Sequence, residues 1–169
     1  MFRITLLPAA QGDALWIEYG QGPEVKRILI DGGVQATGGV LRKRIESLPK
    51  KRRVFELGVV THVDLDHIVG MLQLFKFPPA GLTFKDFWFN AWKHLPESRT
   101  DTSTLGPRMG EQLSFLLDKR KGQCWNAAFN GKAVSVGSRL PAKASGLKTI
   151  QLDGGMRLTI LGPDRKSVV

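Results

Sequence analysis

The stretch VVTHVDLDHIVG, residues 59–70, sets two histidines and two aspartates into six positions directly behind an apolar run. The preceding VFELGVVTH, 54–62, reads as a buried strand, and DHIVGMLQLF, 66–75, begins a helix that Pro78 and Pro79 stop. The cluster therefore occupies a strand-to-helix turn. There the apolar Val63 and Leu65 anchor the chain while His62, Asp64, Asp66 and His67 converge on one side. Imidazole and carboxylate are both good ligands for divalent metals. An EF-hand loop is excluded, because its sixth position would need Gly and its twelfth Glu. A zincin helix is excluded by the absence of H-E-x-x-H. The competing account makes Asp66 a helix N-cap and satisfies both histidines with hydrogen bonds. Four ligand-type residues in so short a span weigh against it, since buried charges are seldom gathered without a cation.

Outward from this turn the chain reads as a series of strands and helices. Segments 2–7 and 14–19 are strands split by PAAQGD, whose Pro and Gly mark a turn. KRILIDGG is a third strand ending on Asp31, with two glycines forcing a tight exit. Apolar residues at 40, 41, 45 and 48 predict a helix over 39–48 that Pro49 closes. LTFKDFWFN reads as another strand, GEQLSFLLDKR as a helix, and LKTIQL with MRLTILG as a late hairpin around DGG. Several strand–helix steps place the chain in the α/β or layered α+β class. With 169 residues and no repeat, low-complexity segment or linker, a single domain is expected.

Composition narrows the setting. No apolar run approaches the roughly 18 residues of a membrane-spanning helix, and the first apolar segment is shorter than that of a signal peptide. The single cysteine, Cys124, excludes an internal disulfide framework. These features predict a cytoplasmic protein without a membrane partner. The 25 Lys and Arg against 15 Asp and Glu, a net charge of +10, suggest a polyanionic partner, nucleic acid first. A charged face that merely keeps the protein in solution accounts for the excess equally well.

The motif THVDLDHIVG resembles the metal-binding motif H-x-[HD]-x-D-H of the metallo-β-lactamase fold, in the variant with aspartate at the second position. ILIDGG resembles that fold's earlier strand ending in Asp, and QGDALWIEYG its glycine-aspartate turn, in the same order and spacing. The chain is similar to the nuclease-like domain at the C-terminus of bacterial competence DNA-uptake channels, and to related proteins of prokaryotic antiviral defence loci. The likeness extends to FWFNAWKHL and WNAAFNGKAV. It implies an αββα sandwich binding one or two divalent ions, zinc or manganese, at one edge. His62 and Asp64 would bind the first ion, Asp66 and His67 the second, and Asp31 would orient their loop from behind. Asp66 would also act catalytically, orienting a metal-activated water for hydrolysis of a phosphodiester in DNA or RNA.

In that family further ligands come from the second half of the fold, and residues 95–169 contain no histidine. The resemblance thus covers the N-terminal half of the sandwich only, and implies a missing C-terminal half or a partner polypeptide. Three expectations stand side by side: a truncated or cleaved chain, one piece of a split enzyme, or a degenerate regulatory or scaffold subunit. A metallo-hydrolase of small esters or lactams remains a rival to the nuclease. Half a sandwich leaves apolar faces and strand edges uncovered, which predicts a partner or self-association. His94, outside the motif, is read as structural or as a surface residue.

Two basic runs, RKR at 42–44 and KKRR at 50–53, lie at the wrong end for substrate. A strand rises about 3.3 Å per residue, which puts KKRR roughly 20 Å from His62. Lys93, Arg99 and Arg108, in the loop after FWFNAW, are the candidates for nucleic-acid contact. Trp88, Trp92 and Trp125 could stack on bases, although aromatics at strand spacing more commonly belong to a core.

Overall fold

The computed structural model describes residues 1–21, 24–94, 106–120, 122–136 and 146–163. Five strands, β1 (Phe2–Leu6), β2 (Leu15–Tyr19), β3 (Lys26–Ile30), β4 (Val54–Val59) and β5 (Thr83–Trp88), form one sheet in sequence order. The first three run antiparallel through short turns. β3, β4 and β5 are parallel, so each step between them needs a crossover. Helix α1 (Gln35–Glu46) supplies the first and α2 (Leu65–Lys76) the second. The mixed α/β class read from the sequence is the class observed.

Both crossover helices lie on one face of the sheet. In α2, Ile68, Met71, Leu72 and Phe75 fall at the i, i+3, i+4, i+7 spacing of an apolar stripe and are all buried. They meet Trp16, Leu29, Phe55, Phe84 and Phe87 from the sheet and Leu41 and Ile45 from α1. A third helix, α3 (Gly106–Lys119), adds Leu113 and Leu117 to this core. The other face carries a separate cluster, where Tyr19, Ile28, Leu57 and Trp88 pack against Phe129 and Ile160. A small hairpin of β6 (Thr149–Gln151) and β7 (Arg157–Thr159) contributes Ile150 and Leu158 there.

Helix α1 starts at Gln35, four residues before the expected 39. The expected helix left Gly38 outside it, but Gly38 lies within α1 where α1 meets α2. A Cβ there would stand 3.1 Å from Gln73 and 3.2 Å from the Cα of Gly70. Packing between the helices offsets the local cost of glycine, a tertiary effect that periodicity does not carry.

The segment after β5 is fastened by polar side chains rather than by a ladder. Asp86 accepts hydrogen bonds from the backbone of Phe87, Ala127 and Ala128 and from Trp88 Nε1. Asn126, fully buried with φ +53°, bonds to Phe89 N, Phe89 O and Lys132 O. Asn90 and Val134 exchange a donor and an acceptor. The FWFNAW and WNAAFNGKAV segments are therefore one interlocked unit.

Edge strand β1 leaves Phe2, Ile4 and Leu6 exposed at 63%, 53% and 73%. Lys50–Arg52 form a short 3-10 turn before β4, at the end of that strand opposite Thr61. Arg53 spends its guanidinium on the carbonyls of Leu48, Ala80 and Glu46. No helix among the described residues is long and apolar enough to cross a membrane.

Candidate metal centre

Three segments meet where β3 and β4 end and α2 begins, and glycines allow the approach. A Cβ on Gly70 would stand 1.9 Å from Gly32 O, one on Gly32 would stand 2.3 Å from Met71 N, and one on Gly12 2.1 Å from Asp66 O. Backbone bonds then tie the pieces: Gly32 N to His67 O at 2.7 Å, Gly70 N to Gly33 O at 3.0 Å, and Gly33 N to Asp13 O at 2.9 Å. The turn at 12–13, the exit of β3 and the first turn of α2 thus form one rigid corner.

Asp31 stands at its centre, 1% exposed and with φ +57°. That left-handed conformation is uncommon for a residue with a Cβ, though Asp tolerates it better than most. Its Oδ1 accepts the backbone N–H of Thr61 at 2.8 Å, and its Oδ2 accepts the Thr61 hydroxyl. Oδ2 also lies 2.9 Å from His67 Nδ1. In the neutral ring, a proton on Nδ1 donated to this carboxylate leaves the lone pair on Nε2. Burial works to lower the His67 pKa, but the hydrogen bond and charge of Asp31, with the charges of Asp66 and Asp13, outweigh it and raise the pKa.

The other residues of the motif surround this imidazole at longer range. Asp66, in the first turn of α2, places Oδ2 at 4.0 Å from His67 Nε2. The His62 ring centroid is 5.2 Å from that of His67, and the two planes make 52°. Asp64 rather than Asp66 holds the N-cap position, and its side chain makes no capping bond. Its carbonyl instead accepts His67 N and Ile68 N, both at 3.0 Å. His62 and Asp64 are exposed.

Among the described residues, Asp13, Asp31 and His67 form a group of ligand-type side chains whose atoms all lie within 4.8 Å of one another. His62, Asp64 and Asp66 do not belong to that group. Asp13 was absent from the sequence-predicted set, although the signal for it was present. It is the aspartate of the QGD turn, and only the fold brings its carboxylate near His67.

The residues considered for nucleic acid have differing surroundings where they are described. Lys93 is ion-paired with Asp118 at 3.1 Å and lies 3.7 Å above the Trp125 ring. Arg108 is exposed on α3, and Arg99 falls outside the described residues. Trp88 is buried, and Trp125 stacks on Phe89 and donates to its carbonyl at 2.8 Å. Trp92, at 44% exposure, presents more of its ring. His94 Nδ1 accepts the Ala91 N–H at 3.0 Å, with its ring edge-on to Trp125 at 5.0 Å. Burial and the neighbouring Lys93 charge lower its pKa.

A cavity of about 660 Å³ opens beside the corner on the hairpin side of the sheet. Thr61, His62 and Asn90 are among its polar lining residues, and Ile17, Ile30, Val59, Leu158 and Ile160 are among the aliphatic ones.

Compared with protein-family models, with curated proteins and with solved structures, the chain finds no match.

Proposed function

We propose that this chain is part of a metal-dependent hydrolase of metallo-β-lactamase-like architecture whose substrate is a phosphodiester of DNA or RNA. The observation that carries the reading is the pair of Asp31 and His67. A buried carboxylate takes one ring nitrogen and leaves the other for a cation, the arrangement by which proteins orient histidine ligands. The donor set fits a divalent ion, since imidazole and carboxylate converge at one sheet end without a lysine or arginine in ion-pair contact with Asp13, Asp31 or His67 among the described residues.

His67 would hold the ion with His62, Asp64 and Asp66, after side-chain rotation of the exposed members. The ion would supply Lewis acidity and lower the pKa of a water molecule. Asp66, beside His67, would orient the attacking water, and Thr61 would keep Asp31 in place. The net charge of +10 favours a polyanionic substrate by raising its local concentration. A missing C-terminal half or a partner polypeptide would provide the remaining ligands. The exposed Phe2, Ile4 and Leu6 are compatible with such a covering layer.

The aliphatic cavity beside His62 favours a second reading, a hydrolase of small esters or lactams with an apolar substituent. Incubation of the assembled protein with manganese and labelled DNA or RNA, in parallel with a panel of aryl and acyl esters, separates the two. Cleavage of nucleic acid that disappears in Asp66→Ala and His67→Ala variants supports the first. Ester turnover with intact nucleic acid supports the second. No turnover of either class rejects both.

A further inference from the structure

We propose that Asp13 is a direct ligand of the metal centre and that Asp31 is not, an inference that rests on the metal-dependent reading above. Asp13, Asp31 and His67 all stand within 4.8 Å of one another, so proximity alone does not sort their roles. Saturation and burial do. Asp31 is 1% exposed, and its two oxygens already accept from Thr61 N, the Thr61 hydroxyl and His67. Turning it toward an ion would break the bonds that define the corner.

Asp13 has the opposite character. It is exposed, and its carboxylate makes neither a hydrogen bond nor an ion pair with another described residue. Its backbone is nonetheless fixed. Gly12, with φ +77°, packs on the carbonyl of Asp66, and the Asp13 carbonyl receives Gly33 N at 2.9 Å. The carboxylate is thus delivered to His67 from a separate strand connection, on a rigid base, with its oxygens available. Two ligands of one ion stand no more than about 4.2 Å apart at usual bond lengths, close to the 4.8 Å within which the three side chains lie.

The test is metal binding rather than turnover. Manganese and zinc are titrated calorimetrically into the full chain and into Asp13→Asn, which keeps shape and removes charge. Affinity should fall about tenfold or more, while the melting temperature of the metal-free protein stays unchanged. In a Cys124→Ser background, Asp13→Cys loaded with cobalt should develop a thiolate-to-metal charge-transfer band, a direct sign that residue 13 touches the ion. Wild-type affinity in Asp13→Asn, or no such band, would overturn the assignment. If His67→Ala loses binding while Asp13→Asn keeps it, the metal centre stands and the role of Asp13 falls. If the wild-type chain takes up neither ion, both fall.

Discussion

The Nδ1 atom of His67 lies 2.9 Å from Oδ2 of Asp31, so a carboxylate at the end of β3 sets the orientation of an imidazole in the first turn of α2. Neither residue is close to the other in sequence. The contact exists because Gly32 and Gly70 let the strand exit and the helix touch backbone to backbone.

Asp31→Asn tests what that carboxylate contributes. Asparagine tolerates φ +57° at least as well, so no backbone strain is added and only the charge-assisted bonds are altered. Unfolding in urea, with metal removed by chelation, should show a loss of about 2 kcal/mol. An unchanged midpoint would mean that Asp31 does not organise the corner.

Gly70 and Gly39 in the helix layer should respond oppositely to alanine. Gly70→Ala forces a Cβ to 1.9 Å from Gly32 O, a backbone clash that side-chain rotation does not relieve. A loss of about 3 kcal/mol is expected. Gly39, exposed in α1 with no atom within 4 Å of its added Cβ, should gain roughly 0.5–1 kcal/mol on the same change. Thermal or chemical denaturation of the pair checks both signs.

Asn126→Ala should destabilise the interlock behind β5. It removes three side-chain bonds, leaves Phe89 N without its acceptor, and puts a Cβ residue without a polar side chain at φ +53°. About 3 kcal/mol is expected. Asn126→Gly should recover part of the loss by relieving the left-handed backbone. Equal losses in the two variants would show that backbone strain is not involved.

The lowered pKa of His94 gives the fold a pH dependence. Burial and the Lys93 charge disfavour the imidazolium, against the weaker opposing influences of a backbone hydrogen bond with Gly131 and the Asp118 charge, and Nδ1 accepts a bond that protonation would break. For a base held below its ordinary value, the contribution to stability is complete above about pH 6.5. It is lost as the pH falls through the lowered value, because the unfolded chain binds the proton more readily. Urea midpoints between pH 7 and pH 5 should therefore decline more steeply in the wild type than in His94→Gln. Parallel profiles would contradict this.

Metal should stabilise the folded chain by mass action. At a free manganese or zinc concentration a hundred times the dissociation constant, the unfolding free energy should rise by about 2.7 kcal/mol, and chelation should reverse it. His67→Ala should abolish the rise. A melting temperature indifferent to both ions would reject the centre.

Much of the fold was legible along the chain. The i, i+3, i+4, i+7 stripe of α2, the short apolar run of β4 and the proline stop after α2 are local patterns, because burying one face of a helix or strand requires a fixed spacing. The density of ligand-type side chains at 62–67 was legible for the same reason, since it needs no partner to be seen. Local pattern erred at Gly38, where a residue poor for an isolated helix is the one that lets two helices approach. It also placed the N-cap at Asp66 in the competing account, whereas the chain turns into the helix at Asp64.

The sequence by itself determined the succession of strands and helices along the chain and the presence of an acidic-imidazole turn after β4. Tertiary structure alone decided which of those side chains meet, because the meeting depends on glycine contacts between segments 12–13, 31–33 and 67–70 that are far apart along the chain. It brought Asp13 beside His67, committed Asp31 to Thr61 and His67, and opened an aliphatic cavity next to His62. Periodicity reports which face of an element is buried, but which polar groups converge depends on how closely two backbones approach.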